Sequence, residues 1–202
     1  ILDNMITLKS ALRPDQDAEI DALVEAIYDT VPRFEKPVVN EAAMAAAEID
    51  PVALQKLSYG LFVLTAKSVE RDDGCIINTA AQLTDIPKRM NIAVNKANHT
   101  HDMIMATGLF NVTVLAQNAP FDMFKRFGFQ SGKDTDKFAG YEANVARSAN
   151  GLVYVTEGSN AFISAKVIES YDYGTHTLFV AEITEATVIG EVPSVTYAYY
   201  FD

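Results

Sequence analysis

Apolar residues recur at Ile20, Leu23, Val24, Ile27 and Val31, the spacing of one helix face, and Pro32 ends the run. Ahead of it, Met5-Ile6-Thr7-Leu8 reads as a short strand and Arg13-Pro14-Asp15 as a turn that starts the helix. The chain between Pro32 and Pro37 is expected to be extended, and Asn40 to cap an Ala-rich helix over 41–48. Asp50-Pro51 is a cap-plus-first-turn signal for another short helix, running to about Leu57.

Beyond that point the pattern changes to short β-prone runs, at 60–66, 75–83, 90–94, 110–115, 151–156, 162–169, 177–189 and 195–201. Asp72-Asp73-Gly74 predicts a hairpin turn between the first two. Helices are predicted over His101 to Thr107, ended by Gly108, and over Pro120 to Phe127, ended by Gly128, with a polar loop at 130–140. Many strands with only short helices between them predict a mainly β fold, a closed or nearly closed β-barrel. A parallel α/β sheet would need regular helices between its strands. The change of pattern divides the chain into residues 1–50, a strand–helix extension, and 51–202, the barrel. A single strand–helix pair cannot bury both its faces, so the extension is expected to dock on the barrel or to be the end of another domain.

Charge sharpens that division. The 202 residues hold 16 Lys+Arg against 27 Asp+Glu, a net charge of −11. Residues 1–50 carry 11 acidic and 4 basic side chains, whereas 51–202 carry 16 and 12. So acidic a chain argues against a nucleic-acid partner. The single cysteine, Cys75, excludes an intrachain disulfide and a four-Cys metal site and fits a reducing cytoplasm. No apolar run approaches the roughly 18 residues of a membrane span, and no signal peptide opens the sequence, so a cytoplasmic location is expected.

Most catalytic signatures are missing. There is no Gly-x-Gly-x-x-Gly, no Gly-x-x-x-x-Gly-Lys-Ser/Thr and no Gly-x-Ser-x-Gly. His99-Thr100-His101-Asp102 looks like a ligand cluster, yet His176 is the sole further histidine, which is too few for a metal site. Cys75 lies in an apolar strand, which favours a buried inert thiol over a Cys75–His176 nucleophile pair. Asn78, Gln82 and Thr84 alternate along one strand and are expected to share a face, as either a solvated surface or a ligand edge. Asn95-Lys96-Ala97-Asn98-His99-Thr100 places amides, a lysine and a hydroxyl just before a helix, a combination suited to an anion.

Five blocks, in order, carry a resemblance: Leu57 to Ala66, Gly74 to Thr79, Asn95-Lys96 to Ile104, Phe127 to Gly132 with Asp136-Lys137-Phe138, and Gly174-Thr175-His176-Thr177-Leu178-Phe179. Over about 51–202 the chain resembles the flavin reductase-like family of FMN-binding split β-barrels. Among these it is most similar to the modules fused to rubredoxin or flavodiiron proteins. Those relatives usually have Asp where Thr175 stands, which weakens any inference about contacts around His176. Residues 1–30 more faintly resemble the last strand and helix of a flavodoxin-like domain, against which an ordinary helical arm of the barrel is the plainer reading. On the flavodoxin-like reading the chain is a fragment that begins inside a longer electron-transfer protein.

The resemblance implies an NAD(P)H-dependent flavin reductase module that takes hydride from NADH or NADPH onto bound FMN and passes electrons to a partner. Rubredoxin, a flavodiiron centre or a fused flavodoxin-like domain would be such a partner. It also implies a homodimer, for which the aromatic tail Tyr197-Ala198-Tyr199-Tyr200-Phe201 offers surface. Lys96 and Thr100 are expected at the FMN phosphate, Asn78, Thr79, Gln82, Leu83 and Thr84 along the isoalloxazine edge, partly through backbone groups, and Asn95 and His101 among the further cofactor-binding residues. His176 is expected on the nicotinamide side, a turn hydrogen bond being its plainer role. An FMN-binding electron carrier or storage module, with no NAD(P)H oxidation of its own, is the alternative. Split barrels linked to heme or pyridoxine share the fold.

Overall fold

The computed structural model describes residues 16–31 and 38–201, which form two compact units divided between Ile49 and Asp50. The strand expected at Met5 to Leu8, the turn at Arg13 to Asp15 and the stretch from Pro32 to Pro37 lie outside the described residues.

In the first unit, α1 (Asp17–Thr30) follows the apolar spacing, and Val24 and Ile27 on it and Val31 just beyond its end are exposed. Helix α2 (Glu41–Ala46) begins where Asn40 accepts a hydrogen bond from the Ala43 amide at 3.0 Å. The second unit opens with α3 (Pro51–Gln55), capped by the Asp50 carboxylate on the Val52 amide at 2.9 Å.

The second unit is built on a seven-stranded antiparallel sheet. Its strands are β1 (Phe62–Lys67), β2 (Asp72–Ile77), β3 (Ala80–Thr84), β4 (Arg89–Asn95), β5 (Leu109–Leu115), β8 (Ser159–Asp172) and β9 (His176–Val188). The order across the sheet is β2-β1-β5-β8-β9-β4-β3. The outermost strands, β2 and β3, are consecutive in the chain, and Asn78 and Thr79 alone separate them. A two-residue link spans at most about 10 Å, so the sheet must curl until the end of β2 meets the start of β3. Leu64, Cys75, Ile77, Ile92, Val112 and Phe179, from five strands, accordingly fill one core. A second core lies under α5 (Phe121–Gly128), where Met123, Phe124 and Phe127 pack with Leu61, Leu115 and Tyr141. Helix α4 (His99–Thr107) ends at Gly108, whose φ of 68° is the left-handed geometry expected there. A small separate sheet pairs β6 (Val145–Arg147) with β7 (Val153–Val155).

Four local expectations are corrected. Asp72-Asp73-Gly74 is not a turn but lies in β2, opposite Thr65 to Lys67. The turn falls at 68–71, where the Ser68 hydroxyl accepts the Glu70 and Arg71 amides at 3.2 Å each. The run 75–83 is two strands broken at Asn78-Thr79, and a register shift between Gln82 and Thr84 disturbs the simple alternation of their side chains. Gly128 is the last residue of α5 rather than the residue beyond it. The stretch 195–201 is not a strand: Tyr197–Phe201 forms helix α6, started by the Thr196 hydroxyl accepting the Tyr199 amide at 3.2 Å. Helical geometry lets Tyr200 lay its ring 4.7 Å from Phe124 and 6.2 Å from Phe121, an apolar contact that overrides the β propensity of the aromatics. Among the described residues no helix is long and apolar enough to cross a membrane.

Candidate functional site

Strand β4 gathers half of the candidate residues at its C-terminal end. Asn95 stands opposite His176 in the β4–β9 register, and the Lys96 amide donates to the Thr175 carbonyl at 3.0 Å. From the other side, Thr79 brackets Ala93: its hydroxyl donates to the Ala93 carbonyl at 2.6 Å and its carbonyl accepts the Ala93 amide at 3.2 Å. Asn95 then turns the chain by accepting the Ala97 amide at 2.9 Å on its side-chain oxygen. Thr79, Asn95, Lys96 and His176 thus converge, with Asn78 next in the chain to Thr79.

Gln82, Leu83 and Thr84 lie at the opposite end. Thr84 pairs with Arg89 and Gln82 with Met90, so Thr84 sits about 20 Å along β4 from Asn95 at strand spacing. The Gln82 amide donates to the Thr84 carbonyl at 3.2 Å and the Thr84 hydroxyl to the Pro87 carbonyl at 2.5 Å, both closing the turn. Residues 81–89 are all exposed. One phosphate cannot touch both ends of β3, whereas a long flat ligand along the strand can.

Lys96 is already engaged. Its ammonium lies 2.5 Å from the Asp172 carboxylate, at the end of the β8–β9 hairpin. Lys96, and after it the Gly174 amide on the other carboxylate oxygen, hold the Asp172 carboxyl below the usual range. The His176 ring nitrogen Nδ1 is 2.9 Å from the Thr175 hydroxyl, so the residue standing in place of the relatives' Asp still offers the ring a partner.

Helix α4 starts immediately after this turn, and its first side chains face inward. The Asn98 amide group donates to the Cys75 sulfur at 3.6 Å and makes no cap hydrogen bond. Thr100, 1 % exposed, donates its hydroxyl to Asp73 at 3.3 Å. His101 spans from the Thr177 hydroxyl at 2.9 Å to the Asp102 carboxylate at 3.1 Å. The side chains of Thr100 and His101 therefore brace the turn, and Thr100 can serve a ligand through its backbone amide. The His101 amide donates to the Asn98 carbonyl at 3.0 Å; with no side-chain cap, the His99 and Thr100 amides are left to a ligand or solvent. They border a cleft of about 260 Å³ walled by Ala97, His99, Thr100, Ser131, Gly132 and Lys137. Cys75 also reaches this cleft, but burial pushes its thiol up to about 11, so it is no nucleophile.

Beneath the cleft lies a feature the sequence reading missed. Asp73 and Lys137, 2 % and 3 % exposed, form a buried ion pair at 3.8 Å. The Lys137 ammonium donates to the Gly74 carbonyl at 2.7 Å. Gly132 packs so tightly on Asp73 that a Cβ there would fall 1.9 Å from its Oδ2. The available signal was two carboxylates heading an apolar strand, which reads equally well as a turn.

Three comparisons bear on this geometry. Residues 54–202 match the family model described as the flavin reductase like domain. Over 152 residues the chain is 39 % identical to the high molecular weight rubredoxin of Moorella thermoacetica, covering 75 % of this chain and 66 % of that protein. It is 40 % identical to the ferric-chelate reductase (NAD(P)H) of Archaeoglobus fulgidus, again over 152 residues, 75 % of this chain and 89 % of the relative. Among solved structures, the NADH:FAD oxidoreductase of Streptomyces globisporus superposes with a TM-score of 0.63 at 22 % identity, covering 75 % of this chain and 92 % of that one. Flavoredoxin from Methanosarcina acetivorans gives 0.59 at 19 % identity, covering 76 % and 75 %. Identities this low speak for the fold alone.

Proposed function

The chain belongs to the flavin reductase like domain family, and we propose that it is an NAD(P)H:flavin oxidoreductase that reduces bound FMN and passes the electrons to a redox partner. The observation that carries this reading is the uncapped start of α4, opening on a cleft walled by Lys137, directly after the Asn95-Lys96 turn. Backbone amides, helix dipole and ammonium groups are the donor set a flavin phosphate requires, and an acidic protein must supply them locally. The residues fit FMN on that ground.

The flavin and nicotinamide supply the hydride chemistry; the protein binds, orients and screens. Lys96 and the first amides of α4 hold the phosphate, with Asn95 shaping the turn and Thr100 and His101 bracing it from below. Asn78 and Thr79, and further along the strand Gln82, Leu83 and Thr84, border the isoalloxazine. His176, opposite Asn95, positions the nicotinamide. Hydride chemistry of this kind needs no proton donor from the protein.

The protein acts as a homodimer in this reading. Support for pairing moves from the aromatic tail, where Tyr200 is packed on α5, to the exposed edge at β3, where Leu83 is 47 % and Ile86 91 % exposed. A rubredoxin-type redox partner is supported by the similarity to the Moorella protein.

The test is anaerobic stopped-flow of the FMN-loaded protein. NADH or NADPH should bleach the flavin band. Bleaching by dithionite but by neither nicotinamide would overturn the reading in favour of an electron carrier.

A further inference from the structure

A lysine that is 3 % exposed costs desolvation energy, and here its bonding is incomplete. An ammonium has three donors. That of Lys137 makes one good hydrogen bond, to Gly74 at 2.7 Å, and a second at 3.5 Å to the Phe127 carbonyl. Its carboxylate partner stands 3.8 Å away, and Asp73 Oδ1 is buried without any hydrogen bond. Each ion thus has capacity left over.

The pair is also oriented. Lys137 walls the cleft and Asp73 does not. The carboxylate sits behind, pressed by Gly132 and taking the Thr100 hydroxyl at 3.3 Å. Lys137, the cationic member of the pair, and the uncapped positive end of α4 therefore border one space. Replacing a buried pair by apolar residues often leaves stability unchanged or improved, so stability alone is a poor account of it.

We propose that Lys137 is the cation that gives the cleft its preference for a phosphate-bearing flavin, and that Asp73 is the residue that positions it. The inference rests on the reading that flavin phosphate occupies the start of α4. Asp73 links β2, the first turn of α4 and the loop after α5, so it sets both the cation and the helix amides relative to each other.

The test compares dissociation constants for FMN and riboflavin, by fluorescence titration, in the wild type and in the charge-neutral double variant Asp73→Asn/Lys137→Met. Riboflavin affinity should stay within about threefold of wild type, whereas FMN affinity should fall about tenfold or more. A structural role would move the denaturation midpoint and both flavins together, leaving their ratio unchanged. A wild-type ratio in the folded double variant overturns the inference alone. A double variant that cannot fold makes the pair structural and overturns it equally. A wild type that binds FMN and riboflavin alike removes the phosphate site itself, and the inference with it.

Discussion

Lys96→Ala separates binding from folding at the candidate site. The Lys96 and Asp172 side chains are 36 % and 69 % exposed, and exposed pairs are screened and contribute little to stability. The denaturation midpoint should therefore barely move. The phosphate contact is another matter: a charge-assisted hydrogen bond is worth roughly 1.5–3 kcal/mol, hence roughly tenfold to a hundredfold in FMN affinity. Riboflavin, lacking the phosphate, should bind much as before. Asp172 adds a converse arm. Its carboxylate holds the Lys96 ammonium and competes with a phosphate for it, so Asp172→Asn should tighten FMN by up to about fivefold.

The pH sign follows from the direction of the Asp172 shift. Its carboxyl is held below the usual range, so the Lys96 tie is complete above the ordinary carboxylate value and is lost as pH falls through the lowered one. Titrations at neutral pH thus see a constant competitor. Both affinities would be measured by quenching of flavin fluorescence. Equal losses of FMN and riboflavin in Lys96→Ala would show that Lys96 works through the fold and refute the phosphate assignment.

Gly132→Ala forces a methyl to 1.9 Å from the Asp73 carboxylate and should cost about 1–3 kcal/mol in denaturant unfolding, an unchanged midpoint meaning the loop yields freely. Gly108→Ala, with open space but φ +68°, should cost nearer 1–2 kcal/mol, from backbone strain alone. The Cys75 thiol, raised from 9.0 to about 11, should resist disulfide reagents at neutral pH until the protein unfolds, and fast stoichiometric labelling of the native protein would contradict its burial. Its raised value stabilises the fold below about pH 9, and that contribution fades as pH climbs towards 11, a loss that Cys75→Ala should remove. Light scattering should give a dimer of the 22.1 kDa chain that Leu83→Glu dissociates, and a fully FMN-loaded wild-type monomer would exclude pairing. His176→Ala should slow flavin reduction by NAD(P)H and leave dithionite reduction untouched; an unchanged nicotinamide rate takes His176 out of the site.

The barrel was legible because its signal is local. Alternating apolar residues, Gly108 after α4, and Asn40 and Asp50 before their helices each act within a few residues of chain. Two of the failures share one cause, a distant partner overriding a local preference. Asp72-Asp73-Gly74 has turn chemistry, but Asp72 is taken by Arg147 at 2.7 Å and Asp73 by Lys137 and Thr100, so both stay in the strand. Tyr197 to Phe201 has strand composition, but Phe121 and Phe124 on α5 select the conformation that packs Tyr200 against them.

The same division runs through the candidate site. Asn95 and Lys96 stood out by residue type ahead of a helix and His176 through the family resemblance, and the β4–β9 register then sets Asn95 opposite His176. Thr100 could be nominated by type but not by direction: a hydroxyl at a helix start serves an outside anion or an inside carboxylate equally well. Asp73 decides between them, 27 residues upstream, and it turns Thr100 inward. On the proposed reading, with that hydroxyl spent, positive charge for a phosphate comes from the helix amides and from lysines on either side. One of these, Lys96, is exposed and held by an exchangeable surface partner. The other, Lys137, is buried and pinned from behind. An exposed lysine can follow a ligand in and out, whereas a buried one fixes where the phosphate must stop. The two lysines therefore predict different kinetics: loss of Lys96 should act mainly on association, through steering, and loss of Lys137, in the charge-neutral double variant, on dissociation.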